Sequence, residues 1–339
     1  MKAIRNVTMR TILSLIITFI SITSCSNLTA EEYYKRGLKK LHPEFGVGND
    51  CKGAIEDFTD AIEINPQYSE AYNERGYSKF LLKDNNGAIE DFTKAIQINP
   101  NNSFAFVRMG DTNVEMEDYN KAIINYTNAI QISPDYYYAY FNRGKANIKT
   151  QEYEKAISDL KNVLDKPNSS AYWYSSGNYF LGVAHFELKS FEKANNYFSI
   201  ELEYSNEIDR LVEGDVYFKR GDSRLEIRDY PGAVADFTKA IEIGPRTNTK
   251  TTDVFDFEYE DAYFKRGYAK SILEDYKGAL ADFEEVIRIN PQAGGAYLNR
   301  GLIMTSLGQN ENACIDYSKA GELGIAKAYE MIKKYCKNK

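Results

Sequence analysis

Histidine is scarce. His42 and His185 are the only two among 339 residues, and neither stands at a metal-ligand spacing from another histidine or a cysteine, so a zinc-type centre is excluded. No glycine-rich phosphate loop is present: Gly46-Val47-Gly48 lacks the flanking strand, helix and lysine such a loop needs, and Gly294-Gly295 sits at a repeat junction and serves the turn. Basic charge is also short. With 42 Lys and Arg against 49 Asp and Glu, the net charge is −7; without residues 1–24, which hold Lys2, Arg5 and Arg10 and no acid, it is −10. An acidic chain with no basic stripe does not suit phosphate backbones, which argues against a nucleic acid partner. No buried acid or nucleophile pair is evident, so neither an enzyme nor a cofactor is indicated. His185 reads as a satisfied, partly buried packing residue.

What is present points to an ordered chain: 43% of residues are hydrophobic and 27% charged. The length exceeds what one compact core usually supports, so the chain must divide into domains or run as an elongated array. Its first stretch reads as a targeting segment, a basic start followed by an apolar run from Ile12 to Ile22 that is shorter than the roughly 20 residues of a membrane span. The end of that run, Ile22-Thr23-Ser24-Cys25, resembles the bacterial lipobox, which implies cleavage after residue 24 and a diacylglycerol thioether on Cys25; the alternative is an ordinary signal peptide with an incidental cysteine. Ser26 stands where an inner-membrane retention signal would place Asp. The resemblance therefore implies export and anchoring at the outer membrane, facing the periplasm.

Internal repetition dominates the rest. The phrase running from Gly87 to Pro100 recurs in outline around Ala54, Ala122, Ala233 and Ala279. Aligned on a glycine, the copies carry Gly37, Gly76, Gly110, Gly144, Gly182, Gly221, Gly267 and Gly301, separated by 39, 34, 34, 38, 39, 46 and 34 residues. The period is 34. If that glycine is position 8, position 20 is alanine in all eight copies (Ala54, Ala88, Ala122, Ala156, Ala194, Ala233, Ala279, Ala313), and aromatics recur near positions 4 and 24. Small residues at 8 and 20 let two antiparallel helices approach closely, and proline at position 32 (Pro66, Pro100, Pro134, Pro245, Pro291) stops the second helix.

This pattern resembles the tetratricopeptide repeat family. The resemblance implies an all-α fold, a right-handed superhelical solenoid of about eight helical hairpins over residues 30–325, preceded by a signal peptide (1–24) and a lipidated linker (25–29) and closed by a capping helix (326–339). Repeat five departs from the pattern, with Asn178 at position 4 and Glu201 at position 27. Insertions read as loops at His42–Asp50, Asp165–Tyr174, Ser205–Glu213 and Arg246–Tyr259.

Position 7 is arginine in six copies (Arg36, Arg75, Arg143, Arg220, Arg266, Arg300), and position 23 of the same copies is aspartate (Asp57, Asp91, Asp159, Asp236, Asp282, Asp316). The two copies lacking one lack the other, carrying Met109 with Asn125 and Leu181 with Tyr197. Matching within every copy predicts a structural ion pair joining the two helices of each regular hairpin.

The family resemblance further implies that positions 2, 5, 9 and 12 of the first helices line a ligand groove: Tyr77, Phe80, Phe104, Val107, Tyr138, Phe141, Tyr179, Phe186, Phe218, Phe264 and Tyr268. The alternative for several of them, above all at position 5, is packing against the neighbouring repeat. Such a groove suits a helix or extended peptide of another protein. Hence the expected function is a non-enzymatic protein–protein interaction scaffold anchored at the bacterial envelope, with glycan binding through surface tyrosines as the alternative. Cys314, on the second helix of repeat eight, and Cys336, on the capping helix, fall on elements expected to be adjacent; in an oxidising compartment they can form a disulfide or remain free thiols.

Overall fold

The computed structural model describes residues 28–41, 50–165, 171–203, 210–244 and 258–336. The signal segment, Cys25, His42 and the Gly46-Val47-Gly48 stretch lie outside the described residues. Among the described residues the chain is all α, with seventeen helices and no strand. Sixteen form eight successive hairpins: α1 (Ala30–Leu41) with α2 (Cys51–Ile64), α3 (Ser69–Leu81) with α4 (Asn85–Ile98), α5 (Ser103–Glu115) with α6 (Tyr119–Ile132), and α7 (Tyr137–Lys149) with α8 (Tyr153–Leu164). The series continues with α9 (Ala171–Glu187) and α10 (Phe191–Glu203), α11 (Arg210–Glu226) and α12 (Tyr230–Ile243), α13 (Tyr259–Ile272) and α14 (Tyr276–Ile289), and α15 (Gly294–Ser306) and α16 (Asn310–Glu322). A last helix, α17 (Ala326–Tyr335), follows. The chain divides into two compact units, residues 1–139 and 140–339.

Each hairpin is built from the same local chemistry. The first helix ends in a tight turn whose position-15 residue takes a left-handed conformation, as at Lys83 (φ 64°), Glu117 (59°) and Glu274 (61°), with Gly308 (74°) filling the same place in the last hairpin. There the N–H of Lys83 bonds the Phe80 carbonyl and the N–H of Asp84 bonds that of Lys79, satisfying carbonyls the helix would otherwise leave open. Asp84 then caps the second helix by accepting from the Gly87 N–H at 3.0 Å, and Asp118, Asp229 and Asp275 do the same for their helices.

The position-20 alanines are fully buried in all eight hairpins, and position 24 supplies the ring or Leu160 beneath each position-8 glycine. A Cβ added at Gly76 would sit 2.8 Å from the Phe92 ring, and one at Gly110 2.7 Å from the Tyr126 ring. The helices are therefore held closer than any larger residue allows.

One of the sequence expectations needs correction. Part of the insertions read as loops is helical: α9 begins at Ala171 and α11 at Arg210, so these two first helices have 17 residues where α3, α5 and α7 have 13. No proline lies between Ala171 and Glu187 or between Arg210 and Glu226, so nothing interrupts the helix as it extends toward its N-terminus. In α17 the buried residue is Ala328, while Tyr329 is 60% exposed and donates its hydroxyl to the Gly321 carbonyl at 2.9 Å. The structure joins α17 to α16 by a disulfide between Cys314 and Cys336, with Cα atoms 5.7 Å apart.

Candidate functional site

Every regular hairpin closes on a buried aspartate. The Nη2 atoms of Arg36, Arg75, Arg143, Arg220, Arg266 and Arg300 lie 2.5–2.7 Å from the carboxylates of Asp57, Asp91, Asp159, Asp236, Asp282 and Asp316 respectively. In the last five, Nε donates to the second oxygen at 2.8–3.0 Å, giving a two-pronged fork; Arg36 places both donors on Oδ1. Each guanidinium also lies over the tyrosine three residues earlier, from 4.8 Å for Arg36 on Tyr33 to 5.6 Å for Arg300 on Tyr297.

A third partner was not read from the sequence. Position 11 brings Lys40, Lys79, Arg224 and Lys270 to the same aspartates at 2.7–2.9 Å, and Asn147 donates to Asp159 at 3.3 Å. The signal was present as a cation four residues after the position-7 arginine. Burial pushes the Asp57 carboxyl up, but Arg36 and Lys40 outweigh it and hold the pKa below the usual range. In the fifth hairpin, one of the two that lack the pair, His185 occupies position 11 and stacks on Tyr197, ring centroids 5.3 Å apart. It is buried rather than partly buried, neither ring nitrogen has a hydrogen-bond partner among the described residues, and burial lowers its pKa. These groups are architectural: each carboxylate is engaged by its own hairpin, and no group of three or more His, Cys, Asp or Glu able to hold a metal occurs among the described residues.

The first unit carries a different kind of cluster. On its first helices, Arg108 of α5 lies over the Tyr77 ring of α3 at 4.2 Å and donates to Glu74 at 2.7 Å. Beside them Asp111 accepts from the hydroxyls of Tyr126 (2.6 Å) and Tyr138 (3.1 Å). Tyr136 sits between Phe104 and Tyr138, with ring centroids at 5.3 and 6.3 Å, and Tyr77 lies 6.4 Å from Phe80. Burial and then Asp111 push the Tyr138 hydroxyl pKa up, so it stays protonated and donating. Phe104 is 59% exposed and Tyr138 36%, while Tyr77 and Phe80 are half-buried. The result is a face of open rings interleaved with one cation and two carboxylates.

In the second unit, Lys265 of α13 pairs with Asp222 of α11 at 2.7 Å and lies 4.5 Å above the Phe218 ring. Lys219 lies 5.9 Å above Phe186, which is half-buried, and Tyr268 is 43% exposed. Burial raises the Asp222 pKa despite the opposing pull of Lys265.

Models of the tetratricopeptide repeat match residues 69–102, 138–169 and 260–292, and a TPR repeat model matches residues 110–151. The chain carries tetratricopeptide repeats. Among solved structures, a tetratricopeptide repeat protein from Parabacteroides merdae is similar at TM-score 0.52 and 16% identity, over 81% of this chain and 98% of that one. Pseudomonas aeruginosa pilF is similar at TM-score 0.52 and 16% identity, over 70% and 97%. YrrB, described as a TPR protein with an unusual peptide-binding site, matches at TM-score 0.49 and 17% identity, over 56% and 93%. The two likenesses at TM-score 0.52 support the fold. No curated protein sequence matches the chain significantly.

With the repeats in place, the eleven residues assigned to the groove separate by position. Val107, Phe141, Tyr179 and Phe218 are buried and cannot line it as expected. The reason is that position 5 of these first helices faces the second helix of the same hairpin. Tyr179 meets Phe198 at 5.9 Å, Phe218 meets Phe237 at 5.7 Å, and half-buried Phe264 meets Phe283 at 5.6 Å, each the position-24 ring of its own hairpin. Phe141 packs edge-on to Phe180 at 5.7 Å. Positions 2, 9 and 12 remain open or half-open, and Tyr77, Phe80, Phe104 and Tyr138 come together in the first unit. Glu74, Arg108, Asp111 and Tyr136 were missed; charged residues at position 6 facing an aromatic one repeat earlier would have been the signal.

Proposed function

We propose that this protein is a non-enzymatic scaffold that binds a peptide or helical segment of another protein on the first-helix face of its first unit. The observation that carries this reading is the cluster of Phe104, Tyr136, Tyr138 and Tyr77 around Arg108 and Asp111. Open aromatic surface beside oriented polar groups is the composition of interaction hot spots. The tetratricopeptide repeats are consistent with a protein partner.

We further propose export and lipid anchoring at Cys25, on the outer membrane facing the periplasm, from the lipobox-like end of the leader. Copurification from native membranes with the Phe104→Ala/Tyr138→Ala variant should recover less than about a tenth of the wild-type partner, as expected when two hot-spot rings are lost. Undiminished recovery would move the site elsewhere. Metabolic labelling with a radioactive fatty acid tests the anchor: label lost in Cys25→Ser supports it, and label retained refutes it.

A further inference from the structure

Beside the aromatic cluster, α1, α3, the α4–α5 turn and the start of α5 enclose a cleft of about 460 Å³ in the first unit. Its floor holds two buried residues, Asn73 (5% exposed) and Glu74 (8%, with 11% of its side chain exposed). The Asn73 amide nitrogen donates to Glu74 Oε1 at 3.0 Å, and Arg108 Nη1 donates to the same oxygen at 2.7 Å. Each gives an N–H to that one atom, and Arg108 Nη1 also lies 3.4 Å from the Asn73 backbone carbonyl oxygen. Glu74 Oε2 and Asn73 Oδ1 are left as buried acceptors with no hydrogen-bond partner. The amide cannot be flipped to relieve this, since its nitrogen is committed to the carboxylate.

A site with surplus acceptors, one of them on a carboxylate, is completed by a ligand that brings donors and positive charge and no acceptors, as the guanidinium and ammonium groups of arginine and lysine do. The surrounding charge points the same way. Exposed Glu70 stands at the same cleft, and the Tyr34 hydroxyl pKa is raised by burial and then by Glu74 and Glu70, which outweigh Arg108. Tyr34 and Phe104 add ring surface of the kind cations favour. A carboxylate or phosphate would instead set acceptor against acceptor.

We propose that this cleft receives a basic side chain, arginine or lysine, of the segment bound on the adjacent aromatic face, an inference that rests on the peptide-binding reading above. A positional array of N-acetylated decapeptides probed with the full chain tests it. Arg or Lys at one position should be preferred about tenfold over citrulline, which has the shape of arginine without its charge. Glu74→Gln should reduce that preference to about twofold or less, and Glu70→Gln, an exposed change that does not threaten folding, should weaken it about two- to threefold. Peptides that bind equally well with citrulline would overturn the basic-side-chain assignment while leaving the scaffold reading intact, and this comparison needs no variant. Full preference retained in folded Glu74→Gln would overturn it as well. If no peptide binds, both readings fall together.

Discussion

Replacing Asp91 with asparagine keeps the side-chain shape and removes one charge at the centre of the second hairpin. In the native protein its carboxylate takes three charge-assisted bonds, from Arg75 Nε at 2.9 Å, Arg75 Nη2 at 2.7 Å and Lys79 Nζ at 2.7 Å. Breaking a buried pair by deleting one partner costs about 3–5 kcal/mol, because the surviving charge is stranded. Arg75 and Lys79 keep 17% and 20% of their side-chain surface and can partly rehydrate, so the low end applies, about 3 kcal/mol, or roughly a hundredfold in local opening. Repeat arrays do not always unfold in one step, so the readout is amide hydrogen exchange in α3 and α4. The chain also supplies its own control: the third hairpin solves the same problem with Met109, Asn113 and Asn125. The triple variant Arg75→Met/Lys79→Asn/Asp91→Asn should recover at least half of the loss, since no charge is left unpaired. A cost below about 1 kcal/mol for the single change, or a triple variant less stable than the single, would refute the reasoning.

The other expectations concern the second unit. Reducing the Cys314–Cys336 bridge, which closes 22 residues, should lower the protection of α17 amides by about 3 kcal/mol on a chain-entropy basis, and unchanged exchange in Cys314→Ser/Cys336→Ser would show that packing alone holds the cap. Burial keeps the His185 pKa below that of the unfolded chain, so the unfolded state takes the proton first on acidification. Stability should therefore be full above about pH 6.5 and fall as pH drops from there toward the folded value, a slope that His185→Asn should abolish in thermal unfolding between pH 7.5 and 5.

The repeats were legible because hairpin geometry imposes the same requirement eight times. A glycine under a ring and an alanine at the crossing leave a periodic trace that no single site could. Arginine and aspartate were legible because they vary together, Met109 with Asn125 and Leu181 with Tyr197. Position 11 escaped because Lys, Arg, Asn, His and Met all occur there, and only the distance to the carboxylate unites the cations. The groove was half legible. Hydrophobicity alone cannot tell Phe104, open at position 2, from Phe218, sealed at position 5 beneath its own second helix. Glu74 and Arg108 take their meaning from contacts 34 residues apart, which no local pattern announces.

Each position-23 aspartate in the regular hairpins is neutralised by cations of the same hairpin. Where the arginines reach the preceding hairpin they meet a hydroxyl, Thr59 for Arg75, Ser199 for Arg220 and Thr238 for Arg266. Seams joined only by such hydroxyl contacts are electrically neutral, whereas the seams crossed by Arg108 to Glu74 and by Lys265 to Asp222 each carry an ion pair. A lineage carrying such an array can duplicate or excise a hairpin at a neutral seam without stranding an ion, while a cut at either crossed seam leaves a charge unpaired.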